Sequence, residues 1–266
     1  MSRLSTRFSE LKAKGEKALV CFVTAGDPSA DVTVELVKTL ARAGADAVEI
    51  GIPFSDPLAD GPSIQAASQR ALETGMTTAK TLDIVRRIRA EVTDLPLILM
   101  TYYNPIRCFG LEAYAKAAAE AGADAHIVTD LTPEESEDWK RYSAANGLDT
   151  IFLVAPTSTE ERIRVVAEIS SGFVYGVSRT GVTGARADVP VELQGIVDYI
   201  KSHTAEPVCV GFGVSSPDHV RSISAFADGV VVGSSLVDLI HRERENPNLQ
   251  QLVIEYVSGL KAATRA

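Results

Sequence analysis

The chain has 266 residues, and 26 Lys and Arg against 35 Asp and Glu leave a formal charge of −9. With 45% hydrophobic, 6% aromatic and 23% charged residues it has the composition of a folded protein. The acidic balance argues against nucleic acid or an anionic membrane surface as a partner, because both want clustered Lys and Arg, and no run of about 18 apolar residues is present to span a bilayer.

The first ten residues, MSRLSTRFSE, lack the apolar stretch of a secretory leader. Leu4, Phe8 and Leu11 share one face of a predicted helix that could cover the bottom of the fold. Strand-length apolar runs follow at 18–24, 47–50, 97–101, 125–129, 150–154, 173–177, 207–210 and 229–232. Helical periodicity occupies 32–43, 111–121, 134–145 and 191–203 between them. The stretch 64–91 is too long for one helix, and Gly75 divides it into two. Near-continuous apolar strands with intervening helices predict a parallel sheet covered by helices. Eight units of roughly 30 residues fit a (β/α)₈ TIM barrel with an extra N-terminal helix and additional short helices, as one domain over 1–266. A doubly wound open sheet is the alternative.

A weak repeat supports the barrel. Ala43-Gly44-Ala45-Asp46 and Ala121-Gly122-Ala123-Asp124 each lead into a strand run, and Ala227-Asp228-Gly229 is a frayed third copy. Gly44 and Gly122 suit the left-handed position that ends a helix, and the Asp starts the turn into the next strand. The three cysteines, Cys21, Cys108 and Cys209, form no C-x-x-C pair and the four histidines no metal spacing. That usage points to a reducing, cytoplasmic setting without disulfide or zinc framework. Cys21 and Cys209 lie in strand runs and read as core packing.

In a barrel, chemistry sits at the C-terminal ends of the strands. In the second run, alternation puts Val48 and Ile50 on the helix side and points Glu49 into the barrel mouth. A carboxylate there needs partners or a raised pKa, and a raised pKa suits a general acid; pairing with a hidden Arg or Lys is the structural alternative. The following loop, Pro53-Phe54-Ser55-Asp56-Pro57-Leu58-Ala59-Asp60-Gly61-Pro62, is held by three prolines and carries two acids. Asp60 could cap the next helix or share acid–base work with Glu49. Residues 178–186, with Gly181 and Gly184, read as a surface loop or a lid over substrate. Gly211-Phe212-Gly213 and Gly233-Ser234-Ser235, after the last two strand runs, are placed to hold a phosphate on backbone amides.

At this point a family resemblance emerges. The stretch Val48 through Gln65, with Tyr102-Tyr103-Asn104-Pro105-Ile106, Ser178 through Gly184, Gly211-Phe212-Gly213 and Gly233-Ser234 in the same order, resembles the tryptophan synthase α subunit family over essentially the whole chain. The likeness implies a lyase that cleaves indole-3-glycerol phosphate to indole and glyceraldehyde 3-phosphate by a retro-aldol reaction. It implies that Glu49 serves indole C3 as acid and can also act as base, and that Asp60 holds the indole N–H and stabilises the cationic indolenine. By the same likeness Gly184, Gly213, Gly233 and Ser234 contact phosphate, and Phe22, Met100, Ile127, Leu153, Tyr175 and Phe212 wall the indole pocket. Thr183 meets Asp56 on lid closure.

The resemblance further implies an α₂β₂ complex whose β subunit carries pyridoxal phosphate and receives indole through a tunnel to make L-tryptophan, with no cofactor or metal on this chain. Residues 53–60 and 102–106 match the docking surface. Thr129, Thr132 and Gly176 depart from the family pattern near the pocket, and His126 should face the helices if Ile127 faces the pocket. A stand-alone indole-glycerol-phosphate lyase and a non-catalytic activator of β are the alternative functions; a phosphosugar isomerase on the same barrel is a remoter one.

Overall fold

The computed structural model describes residues 2–177, 191–211 and 213–265. Among them nine strands form one sheet: β1 (Ala18–Thr24), β2 (Ala47–Gly51), β3 (Leu97–Thr101), β4 (Ala125–Val128), β5 (Asp149–Ile151), β6 (Leu153–Val154), β7 (Val174–Val177), β8 (Val208–Gly211) and β9 (Gly229–Val232). Their hydrogen-bonded order is β5-β4-β3-β2-β1-β9-β8-β7-β6, with every pair parallel. The two ends of that order are separated in the chain by Phe152 alone. Predicted run 150–154 is therefore one barrel strand that changes partner midway: Ile151 still pairs with Ile127 of β4, and Leu153 already pairs with Tyr175 of β7. The sheet returns on itself as a (β/α)₈ barrel, which removes the open-sheet alternative.

The predicted division of 64–91 appears as helices Pro62–Glu73 and Thr78–Glu91, with Gly75 at φ 76° between them. The predicted helix 134–145 is shorter, because a 3-10 turn at Pro133–Glu135 precedes the helix Glu137–Ala145. The N-terminal helix Arg3–Lys14 buries Leu4, Phe8 and Leu11 against the inward side chains of the barrel, including Ala18, Ala125, Ile151 and Phe173. Phe8 packs at a tilt against Phe173 at 5.9 Å, and Phe173 meets Tyr175 edge-on at 6.1 Å, so a continuous aromatic column runs from this plug toward the mouth.

The repeat has a mechanical basis. Each of its aspartates accepts a hydrogen bond from the first amides of the neighbouring strand: Asp46 from Leu19 N–H at 2.8 Å, Asp124 from Leu97 N–H at 2.8 Å, and Asp228 from Val208 N–H at 3.1 Å. Amides at the entry to a parallel strand would otherwise lack a ladder partner. Gly44 and Gly122 adopt the left-handed conformation at φ 97° and 98°. Gly122 has a second constraint, because a Cβ there would stand 2.6 Å from Cγ of Arg89. Arg89 donates to the carbonyls of Gly122, Val92, Thr93 and Leu95 and to Asp124 at 2.7 Å, tying two helix ends to the bottom of the barrel.

His126 faces outward from β4 and is fully buried, with its ring 5.3 Å from Tyr114 and 5.1 Å from Trp139. Neither ring nitrogen has a hydrogen-bond partner among the described residues. Burial lowers its pKa from 6.5 to about 3, so the folded protein keeps the ring neutral where the unfolded chain protonates it. The unfolded state then binds more protons below the unfolded value, and stability falls as pH drops from about 6.5 toward 3. His126→Leu is expected to remove that component, closing a gap of roughly 2–3 kcal/mol at pH 4.5 relative to pH 7. Urea unfolding of both proteins at the two pH values checks this; parallel losses in both would contradict it.

Candidate active site

Glu49 sits where alternation along β2 places it. Val48 and Ile50 join the core between sheet and helices, while Ala47 joins the core inside the barrel. Glu49 pairs in register with Phe22 of β1 and Ile98 of β3 and is 1% exposed. Its Oε1 has no hydrogen-bond partner among the described residues, and none of their Lys or Arg side chains forms an ion pair with it. The structural alternative, a carboxylate neutralised by a hidden cation, thus finds no cation among the described residues. Burial alone pushes the Glu49 carboxyl up to about 8, so it is protonated at neutral pH. Gly51, two residues on, makes room for this arrangement: a Cβ there would lie 2.6 Å from Cζ of Phe22, so the phenyl ring can lie over the strand end only because position 51 has none.

The acidic loop leaves the same strand. Ser55, Asp56, Leu58 and Ala59 are exposed, with Leu58 at 91%, whereas Pro53 is buried. Asp56 accepts from the Ser55 hydroxyl at 2.6 Å. Asp60 does not cap the next helix, because the helix Pro62–Glu73 starts on Gly61 with no side-chain cap. Asp60 instead presents its carboxyl to the Tyr102 hydroxyl. Burial raises the Asp60 pKa to about 6, and the Tyr102 hydrogen bond offsets part of that rise. The same hydroxyl accepts the Ala59 N–H at 3.0 Å, and the Tyr102 ring packs 5.2 Å from Phe54.

Tyr102 is therefore an anchor of the acidic loop and not part of the docking face expected for 102–106. Tyr102 and Ile106 are buried, so of 102–106 only Tyr103, Asn104 and Pro105 reach the surface. The available signal was its position, one residue beyond β3 at the barrel mouth. Thr129 also bears on this group: its hydroxyl donates to Thr101 O at 3.2 Å and lies within hydrogen-bonding reach of Tyr102. Gly176 faces away from the pocket, with room for a Cβ 3.6 Å from its nearest neighbours. Thr132 opens the Pro133–Glu135 turn.

Five predicted wall residues point inward. Phe22 clusters with Ala67, Val237, Ile64 and Met100; Met100 also packs with Ile127, Leu153 and Tyr175. Burial first, then the neighbouring Glu49, Cys209 and Asp60, raises the Tyr175 phenol far above its ordinary value. Position 211 repeats the arrangement at Gly51, because a Cβ on Gly211 would lie 2.6 Å from the Tyr175 oxygen. At the end of β9, between β8 and β1, Gly233 is the N-cap of the helix Ser234–Arg242, and its own Cβ position is 3.8 Å from Phe22. Gly213 has φ 58° and opens onto free space. Phe212, Thr183 and Gly184, with the rest of 178–186, lie outside the described residues. Among the described residues no group of three His, Cys, Asp or Glu is placed to hold a metal ion, and no helix is long and apolar enough to cross a membrane.

Comparison with known proteins agrees over the full length. The profile of the tryptophan synthase alpha chain family matches residues 8–265. The tryptophan synthase alpha chain of Geotalea uraniireducens is 48% identical over 266 residues, covering 100% of this chain and 99% of that protein. Its counterpart from Geobacter sulfurreducens is 50% identical over 263 residues, covering 99% of each. The crystal structure of tryptophan synthase subunit alpha from Legionella pneumophila superposes with a TM-score of 0.92 at 37% identity, covering 99% of this chain and 98% of that one.

Proposed function

The chain belongs to the tryptophan synthase alpha chain family, and from that premise we propose a division of labour between its two mouth carboxyls. The reaction is the cleavage of indole-3-glycerol phosphate to indole and glyceraldehyde 3-phosphate. Breaking the bond between indole C3 and the glycerol chain requires a proton on C3, so that the ring can leave, and loss of a proton from the adjacent hydroxyl as it becomes the aldehyde. Glu49, with its pKa at about 8, is protonated at neutral pH and supplies the C3 proton. It is then a carboxylate beside the hydroxyl and can take that proton back, which returns the enzyme to its starting state.

Asp60, at about 6, is mostly ionised under the same conditions. It accepts the indole N–H and stabilises the positive charge that C3 protonation places on the ring. The observation that carries this reading is the difference in environment, which separates the two pKa values: Glu49 is buried in the barrel with its Oε1 unpartnered among the described residues, and Asp60 is at the rim beside a hydroxyl. Phe22, Met100, Ile127, Leu153 and Tyr175 supply the apolar walls for the indole. The amides around Gly213, Gly233 and Ser234 receive the phosphate, with Gly184, Phe212 and Thr183 assigned by the family pattern. Held by backbone donors, the dianion needs no cluster of lysines in a chain of charge −9.

The exposed loop tip at Leu58, with Asp56 and the surface residues Tyr103, Asn104 and Pro105, supports docking to a β subunit in an α₂β₂ assembly. The pyridoxal phosphate belongs to that partner and the compartment is the cytoplasm. Indole formation from indole-3-glycerol phosphate, measured with and without a β subunit, tests the reading. Stoichiometric indole and glyceraldehyde 3-phosphate, formed faster with β, is the expected result. Stimulation of β without cleavage would favour a non-catalytic activator, and turnover indifferent to β a stand-alone lyase.

A further inference from the structure

Of the amides assigned to the phosphate, those of Gly213 and of Gly233 and Ser234 belong to two loops on different strands. The β8–β9 ladder pairs Gly211 with Val231 as its last rung, so beyond it the sheet no longer sets the spacing of Gly213 against Gly233 and Ser234. A side-chain relay crosses that gap. Ser235, in the first turn of the helix Ser234–Arg242, donates its hydroxyl to the carbonyl of Val214 at 2.6 Å. Tyr256, on the helix Leu249–Ala262, donates to the Ser235 oxygen at 2.8 Å and lies 3.4 Å from the Ser215 carbonyl.

We propose that Tyr256 is a positioning residue for the phosphate cradle, acting through Ser235 to hold the loop after β8 at a set distance from the helix that follows β9. The donor order is what makes the pair directional. A serine hydroxyl in a first helical turn has several acceptors and rotamers open to it. With Tyr256 donating into its oxygen, the serine proton is left to bond the Val214 carbonyl, and that carbonyl is buried with its residue. A phosphate bound by amides from both loops depends on their separation to within about half an ångström. The relay reaches that separation from outside the pocket, and the inference rests on the phosphate assignment made above.

Tyr256→Phe keeps the ring and removes the donor. It is expected to raise KM for indole-3-glycerol phosphate and Ki for glycerol 3-phosphate by about 3- to 10-fold, the loss of one hydrogen bond, with kcat within about twofold of wild type. Competition by indole, which has no phosphate, should stay within about twofold. Ser235→Ala should weaken glycerol 3-phosphate at least as much, and adding Tyr256→Phe to it should cost nothing further, because the tyrosine works through the serine. An unchanged Ki for glycerol 3-phosphate in Tyr256→Phe, equal weakening of indole, or additive losses in the double variant would overturn the relay. Failure of the cradle assignment itself is separable: in that case glycerol 3-phosphate would not compete with substrate even in the wild-type protein.

Discussion

Glu49→Gln is expected to lower indole formation from indole-3-glycerol phosphate by about 10²–10⁴ or more, the range associated with a single proton-transfer group. Glutamine has nearly the same shape, so the packing of Phe22 over Gly51 and the pocket walls should persist, and binding of a non-cleavable substrate analogue should change little. The substitution has a second, opposite consequence for stability. The Glu49 carboxyl titrates near its ordinary 4.5 when unfolded and at about 8 when folded. Between those values the folded state holds a proton the unfolded state has lost, so stability declines as pH rises through this window.

By pH 7 that decline amounts to roughly 3 kcal/mol, and glutamine, which does not titrate, escapes it. The variant should therefore gain stability over wild type as pH is raised from 5 to 8 while remaining inactive. Steady-state assays with denaturant unfolding at both pH values read the two effects together. Near-normal turnover would refute the acid role; a stability difference independent of pH would refute the buried-carboxyl account. An active site that carries an uncompensated carboxyl in this way exchanges stability for function.

The second large effect concerns the pH profile. With Glu49 required protonated and Asp60 required ionised, kcat/KM should rise through about 6, fall through about 8 and peak between. Asp60→Asn should abolish the acid limb and lower the maximum by about 10²–10³, the usual effect of losing a group that stabilises developing charge. A profile that keeps its acid limb in Asp60→Asn would assign that limb to another residue.

Much of this site could be read without coordinates. Period-two alternation in 47–51 directs Glu49 away from Val48 and Ile50, and a parallel strand covered by helices leaves the barrel interior as the only place for it. Gly44 and Gly122 end helices because only glycine takes the left-handed turn there without strain. The eight strand runs, counted against chain length, lead to the barrel. These are consequences of neighbours in sequence, where backbone geometry sets direction.

Other features depend on residues far apart along the chain, and local pattern carries no record of them. Tyr102 reads as one aromatic in a surface segment; its hydroxyl meets Ala59 and Asp60 only because β2 and β3 are adjacent in the sheet. The strand at 150–154 breaks at Phe152 because two different neighbours claim its halves. Tyr256 and Ser235 are ordinary helix residues until barrel closure brings the last helix against the loops after β8 and β9. The acidity of Glu49 belongs to the same class. Strand periodicity determines which way the carboxyl points, but its pKa is decided by how completely the closed barrel buries it, and that is a property of three-dimensional packing alone.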